Sequence, residues 1–101
     1  MKIELKKFGT TLISRQAGKE ALAAFRPILA DLKSEEIIEV DFSGVITFSP
    51  SWGDEFLTPL LEQFGGRLIL LPSDNPSVKI TLEIIEKTQN KSFNRKSGAA
   101  A

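Results

Sequence analysis

Between Lys2 and Phe8 apolar Ile3 and Leu5 alternate with charged neighbours, the period-two pattern of a strand with one wet face. Gly9 and two threonines break it. From Arg15 the period changes: Ala21, Leu22, Phe25, Ile28, Leu29 and Leu32 recur at intervals of three and four, which predicts one apolar helical face with Ser14 as N-cap. Pro27 lies inside this helix and cannot donate to the carbonyl of Ala23, so a kink is expected there.

Ile37, Ile38, Val40, Phe42, Val45 and Ile46 form the most continuously apolar, β-branched stretch, which reads as a central strand buried on both faces, with Ser43-Gly44 as a bulge or bend in its end. A second helix is expected from about Ser51 to Phe64, with Phe56, Leu57, Leu60, Leu61 and Phe64 inward, Pro59 as an internal kink and Gly65-Gly66 as its stop. Arg67 to Leu71 is a short apolar strand halted by Pro72. In SVKITLEIIEKTQ, Val78, Ile80, Leu82 and Ile84 alternate like a strand while Val78, Thr81, Leu82 and Ile85 fit a helix. Asn75-Pro76, a cap followed by proline at the first helical position, favours the helix.

Strand and helix thus alternate three times, which predicts a single α/β domain over residues 1–92 with a mostly parallel sheet and right-handed crossovers. Residues 93–101 read as a disordered tail, and Gly98 to Ala101 as a remnant of cloning. In a parallel sheet each helix starts beyond the carboxyl end of the preceding strand. Ser14-Arg15, the stretch from Ser49 to Glu55, and Asp74 to Ser77 should therefore gather along one edge, where open α/β sheets place their sites.

Composition narrows the chemistry available at that edge. Basic and acidic residues number 13 each, so no net basic charge marks a nucleic-acid binder. Cysteine and histidine are absent, which removes thiolate and imidazole metal sites, disulfides and the Ser-His-Asp and Cys-His catalytic arrangements. No apolar run approaches the roughly 20 residues that a bilayer span needs, and a cytoplasmic protein is the expectation. Asp54 and Glu55 are adjacent on a helix and point in different directions, unlike the opposed carboxylates of a glycosidase. No glycine-rich phosphate loop accompanies them. A non-enzymatic protein without cofactor or metal is expected.

The segment VDFSGVITFSPSWGDEFL resembles STAS-type domains, the fold of bacterial anti-sigma factor antagonists and sulfate-transporter tails. It is more similar still to the stand-alone STAS-like domains of unknown function. Two signatures carry the likeness: Ser14-Arg15 ahead of a helix with small residues, and the strand Asp41-Phe42-x-Gly44-Val45 leading into Trp52-Gly53-Asp54-Glu55. The likeness spans Leu12 to Phe64 and thereafter rests on element order. In the antagonists a serine at this helix start is phosphorylated by a partner kinase of the GHKL ATPase type. Alignment on DFSGV sets Ser49 at the family's aspartate, Pro50 at the phosphorylated serine and Ser51 at the next serine. Proline cannot carry phosphate, so Ser49 and Ser51 are the candidate acceptors, and the switch is not simply inherited.

Plain helix chemistry competes with each site assignment. Ser49 as N-cap with Pro50 behind it needs no function, Ser51-x-x-Asp54 is a capping-box-like alternative, and Asn75-Pro76-Ser77 repeats the same form elsewhere. Asp54 and Glu55 suit the positive end of a helix dipole. Arg15 does not suit it, and pairing with Asp54 or Glu55 would compensate. Trp52 is either the core aromatic of the family motif or a partner-facing anchor. The resemblance implies a small regulatory signalling module whose working edge is Arg15, Ser49, Ser51, Trp52, Asp54, Glu55 and Asp74, with a GHKL-type ATPase or histidine-kinase-like partner. The first strand is an edge able to pair with a second copy in a homodimer. The alternative is a small-molecule or nucleotide sensor whose helix N-termini cradle an anion.

Overall fold

Ile3, Val40 and Leu70 lie abreast on neighbouring strands and are all buried, and the sheet is built around that row. A computed structural model describes residues 1–96; the expected cloning remnant at Gly98 to Ala101 lies outside the described residues. The strands are β1 (Lys2–Glu4), β2 (Thr11–Leu12), β3 (Ile38–Asp41), β4 (Thr47–Phe48), β5 (Leu68–Leu70) and β6 (Asn94–Arg95). The helices are α1 (Arg15–Leu29), α2 (Pro50–Phe64) and α3 (Pro76–Gln89). β1, β3, β5 and β6 form one sheet in that order, β2 pairs with β4 separately, and every pairing is parallel. The fold is α/β with a mostly parallel sheet, as the alternation of periods predicts.

The helices form one layer, with α2 packed between α1 and α3. Their buried faces join the inward side chains of β1, β3 and β5 in a single core. An aromatic cluster fills its centre: Trp52 stacks on Phe56 at 5.0 Å, and Phe8 and Phe48 lie 6.0 and 5.9 Å from Trp52. α3 is a helix, capped by Asn75 at one end and by left-handed Asn90 at the other.

Several expectations need correction. β3 is not buried on both faces: Ile38 and Val40 are inside, whereas Glu39 and Asp41 face the uncovered side and pair with Lys96 at 3.3 Å and Lys2 at 3.5 Å. The strand also stops at Asp41, because its Oδ1 accepts the Ser43 N–H at 2.9 Å and Gly44 turns the chain at φ +86°. The first strand stops at Glu4, and a 3-10 turn over Leu5–Phe8 lets both Leu5 and Phe8 reach the core side. α1 ends at Leu29 and does not reach Leu32, and Pro27 and Pro59 lie inside α1 and α2 as the sequence places them.

Residues 93–96 are not a disordered tail. Phe93 is buried, Asn94 and Arg95 pair with β5, and the Lys96 N–H donates to the Leu70 carbonyl at 2.9 Å. The Glu86 carboxylate fastens this segment, accepting from the Phe93 N–H at 2.8 Å and from Arg95 at 2.6 Å.

Candidate functional site

Each helix begins with a side-chain oxygen that accepts a backbone N–H the helix cannot satisfy itself. Ser14 accepts from Ala17 at 3.0 Å, Ser49 from Trp52 at 3.3 Å, and Asn75 from Ser77 at 2.8 Å. The same caps also bind the helix starts to one another. The Ser49 hydroxyl donates to the Ile13 carbonyl at 2.7 Å, tying α2 to the end of β2. The Asn75 amide donates to the carbonyls of Val45 and Ile46 at 2.8 and 3.0 Å.

β4 is only two residues long, and α3 supplies its second edge. Ser77 Oγ accepts from the Phe48 N–H at 2.9 Å and donates to the Phe48 carbonyl at 3.1 Å, which also accepts from Thr81 at 2.6 Å. A backbone segment that would otherwise hold buried, unpaired polar groups is thus satisfied on both sides. The Asn75-Pro76-Ser77 sequence does more than cap α3.

Two glycines set the helix spacing. A Cβ at Gly18 would lie 2.7 Å from the Trp52 carbonyl oxygen, and one at Gly53 2.7 Å from Ile85 Cδ1. Only a hydrogen fits at Gly18, where the neighbour is backbone, whereas at Gly53 the Ile85 side-chain end and the Phe48 ring would have to shift.

Arg15 enters the first turn of α1 and crosses to α2. Its Nη1 donates to Glu55 Oε2 at 2.7 Å and to Asp54 Oδ2 at 3.3 Å, which answers the unfavourable helix dipole. Glu55 foremost, then Asp54, raise the Arg15 pKa above its ordinary value. Asp54 is held from behind as well: its Oδ1 accepts from Thr58 at 2.8 Å and from Gln89 at 3.0 Å. Neither partner is among the residues expected at the site. Thr58 was findable, standing four residues beyond Asp54 on the same helix face. Gln89 arrives from α3 and leaves no local signal.

Of the expected edge residues, Arg15, Ser49, Ser51, Asp54 and Glu55 do converge on the starts of α1 and α2. Trp52 is corrected: at 1% exposure it is a core residue with no surface for a partner. Its ring is the largest apolar group near the helix start, and stacking on Phe56 removes it from water. Asp74 is exposed and makes no hydrogen bond or ion pair among the described residues. Ser51 is half-buried with no side-chain hydrogen bond among the described residues, and Ser49, not Ser51, is the cap.

A groove of about 120 Å³ opens beside the cluster, lined by Arg15, Pro50, Asp54, Ile84, Ile85 and Thr88. Larger hollows, about 430 Å³ each, lie beside the C-terminal end of α3 and on the uncovered sheet face and touch none of these residues. Among the described residues no three carboxylates gather as metal ligands would, and no helix is long and apolar enough to cross a membrane.

A protein-family model described as a STAS-like domain of unknown function (DUF4325) matches residues 25–79, more than half of the chain. The matched span runs from within α1 into the first turn of α3 and contains the whole α2 start; Arg15 lies outside it. No curated protein matches the chain, and no solved structure does.

Proposed function

The chain belongs to the STAS-like domains of unknown function, and we propose that it is a small, non-enzymatic regulatory module that binds a protein partner through the edge around the α2 start. One observation carries this reading. Four of the six large aliphatic side chains exposed among the described residues belong to that edge: Ile13 at 51%, Ile46 at 68%, Ile80 at 58% and Ile84 at 42%. Single exposed apolar residues are ordinary, and it is the concentration of four around one helix start that supports reading this edge as an interaction surface.

Backbone contacts fix where they stand. Ile13 receives the Ser49 hydroxyl, Ile46 receives the Asn75 amide, Ile84 borders the groove beside Pro50, and Ile80 is one turn back along α3. The ambiguous alternation of Ile80 and Ile84 in the sequence has its cause here, since both are apolar and neither enters the core.

The partner implied by the family resemblance is a GHKL-type ATPase or histidine-kinase-like regulator in a bacterial cytoplasm. Of the two serines, Ser51 is the better phosphate acceptor, because the Ser49 hydroxyl already donates and accepts within the fold. The anion-cradle alternative gains little. Pro50 has no N–H, Ser49 occupies that of Trp52, and the neighbouring Arg15 is neutralised by two carboxylates.

The test is quantitative capture from the source cells with wild type, Ile46→Glu, Ile80→Glu and, as control, Ile28→Glu, with phosphosite mapping of the bait. A partner lost with the two edge variants and kept by the Ile28 control is the expected result. A partner set indifferent to the edge variants overturns the reading, and phosphate-free Ser51 in a bait that carries its kinase removes the switch.

A further inference from the structure

We propose that the groove beside Asp54 is a socket for one basic side chain, lysine or arginine, presented by the protein partner; this rests on the protein-binding reading above. Its shape comes first. About 120 Å³ accommodates a single long side chain and is too little for a nucleotide. The walls are two-sided in character: Ile84, Ile85 and Pro50 are apolar, Asp54 and Thr88 offer oxygen, and Arg15, already paired with Asp54 and Glu55, completes the lining. A side chain with an aliphatic stem and a polar head matches that order.

Charge decides the head. Among the described residues Arg15 is the one cation paired with Asp54 and Glu55, so two carboxylates share a single guanidinium. Arg15 favours Glu55, at 2.7 Å, and reaches Asp54 only at 3.3 Å, longer than a strong charge-assisted bond. Asp54 Oδ1 is satisfied by Thr58 and Gln89, which also hold the carboxylate in place. Oδ2, with its one long contact, is the acceptor left for an incoming cation, and Arg15 can remain on Glu55 when it arrives. A neutral head would find no charge to answer it, and an acidic head would meet Arg15 only where two carboxylates already oppose its single charge. This makes the socket the polar centre of an otherwise aliphatic edge, the arrangement of an interface hot spot.

The partner is not needed for the test. n-Butylguanidinium and n-butylammonium, the side chains without their backbone, are titrated into the protein with n-butanol as the neutral comparison, and amide shifts are followed by NMR. Saturable shifts at Asp54, Ile84, Ile85 and Thr88 are expected, with dissociation constants on the order of millimolar for so few atoms. Butanol should bind at least about tenfold more weakly. Asp54→Asn should remove the preference for the cation. Thr88→Phe, which fills the groove and leaves Asp54 alone, should remove binding altogether, so the test does not hang on the folding of one variant. Shifts that stay linear, map elsewhere, or are equal for butanol overturn the socket. If they do while the edge variants still lose a partner in cells, the socket alone has failed and the protein-binding edge stands.

Discussion

Ser49 donates its hydroxyl hydrogen to the carbonyl of Ile13 at 2.7 Å while accepting the Trp52 N–H, so one oxygen caps α2 and fastens it to β2. Ser49→Ala removes both bonds and leaves a carbonyl and an N–H short of partners. A loss of about 1 to 2 kcal/mol is expected in urea denaturation. Ser51→Ala touches no such bond and should stay within about 0.5 kcal/mol. Equal losses at the two positions would mean that Ser49 is not the cap that matters.

Arg15 contacts both acids but unequally, and double-mutant cycles can read the difference. The coupling with Glu55, at 2.7 Å, should exceed that with Asp54, at 3.3 Å. Because the Arg15 side chain is 54% exposed, both couplings should be small and shrink further in about 1 M salt, where the Debye length is roughly 3 Å. Strictly additive Arg15→Ala and Glu55→Ala losses at low salt would show that the close contact is without energetic consequence.

Asp41 supplies a pH dependence with a definite sign. The Ser43 N–H foremost, with Lys2 adding to it, lowers its pKa below the ordinary carboxylate value. Between the lowered folded pKa and the unfolded value of about 3.9 the unfolded chain binds more protons, so stability rises with pH across that window. Asp41 therefore contributes fully above the unfolded pKa, and its contribution is lost as pH falls through the folded one. Asp41→Asn keeps an acceptor for Ser43 and removes the titration. It should flatten the acid limb of a stability-versus-pH curve while changing stability at pH 7 by less than about 1 kcal/mol. An acid limb unchanged in the variant would assign the dependence elsewhere.

The helices were legible because their information is local. Three- and four-residue spacing, Ser14, Ser49 and Asn75 as caps, and Gly65 as a stop all act within a few residues of themselves. The pairing of Arg15 with Asp54 and Glu55 was also legible, since a parallel topology brings successive helix starts together and a cation at a helix N-terminus asks for an acid. The open face of β3 was written in the chain too. Glu39 and Asp41 alternate with Ile38 and Val40, but the longer run through Ile46 masked a strand of four residues. β2 and β4 are two residues each, too short to show any period, and β4 owes its second edge to Ser77 and Thr81 on a distant helix. The exposed isoleucines at the site look like core residues in sequence, because hydropathy does not say which side of a surface a residue occupies.

β6 was illegible for a related reason, and it yields the last prediction. Asn94 and Arg95 are both exposed, so the strand has no apolar signature and is defined by backbone bonds and by what precedes it. Phe93, 5% exposed, is the anchor that holds these residues against β5. Phe93→Ala should cost about 3 kcal/mol by emptying that space. Without the anchor the segment should open separately from the rest of the domain, so the Lys96 amide should lose hydrogen-exchange protection while Ile3 and Val40 keep theirs. Arg95→Ala removes the 2.6 Å contact with Glu86 Oε1 but leaves Oε2 on the Phe93 N–H. Its cost should stay within about 1 kcal/mol, with Lys96 still protected. If Arg95→Ala exposes Lys96 as fully as Phe93→Ala does, the surface ion pair and not the buried ring holds the strand in place.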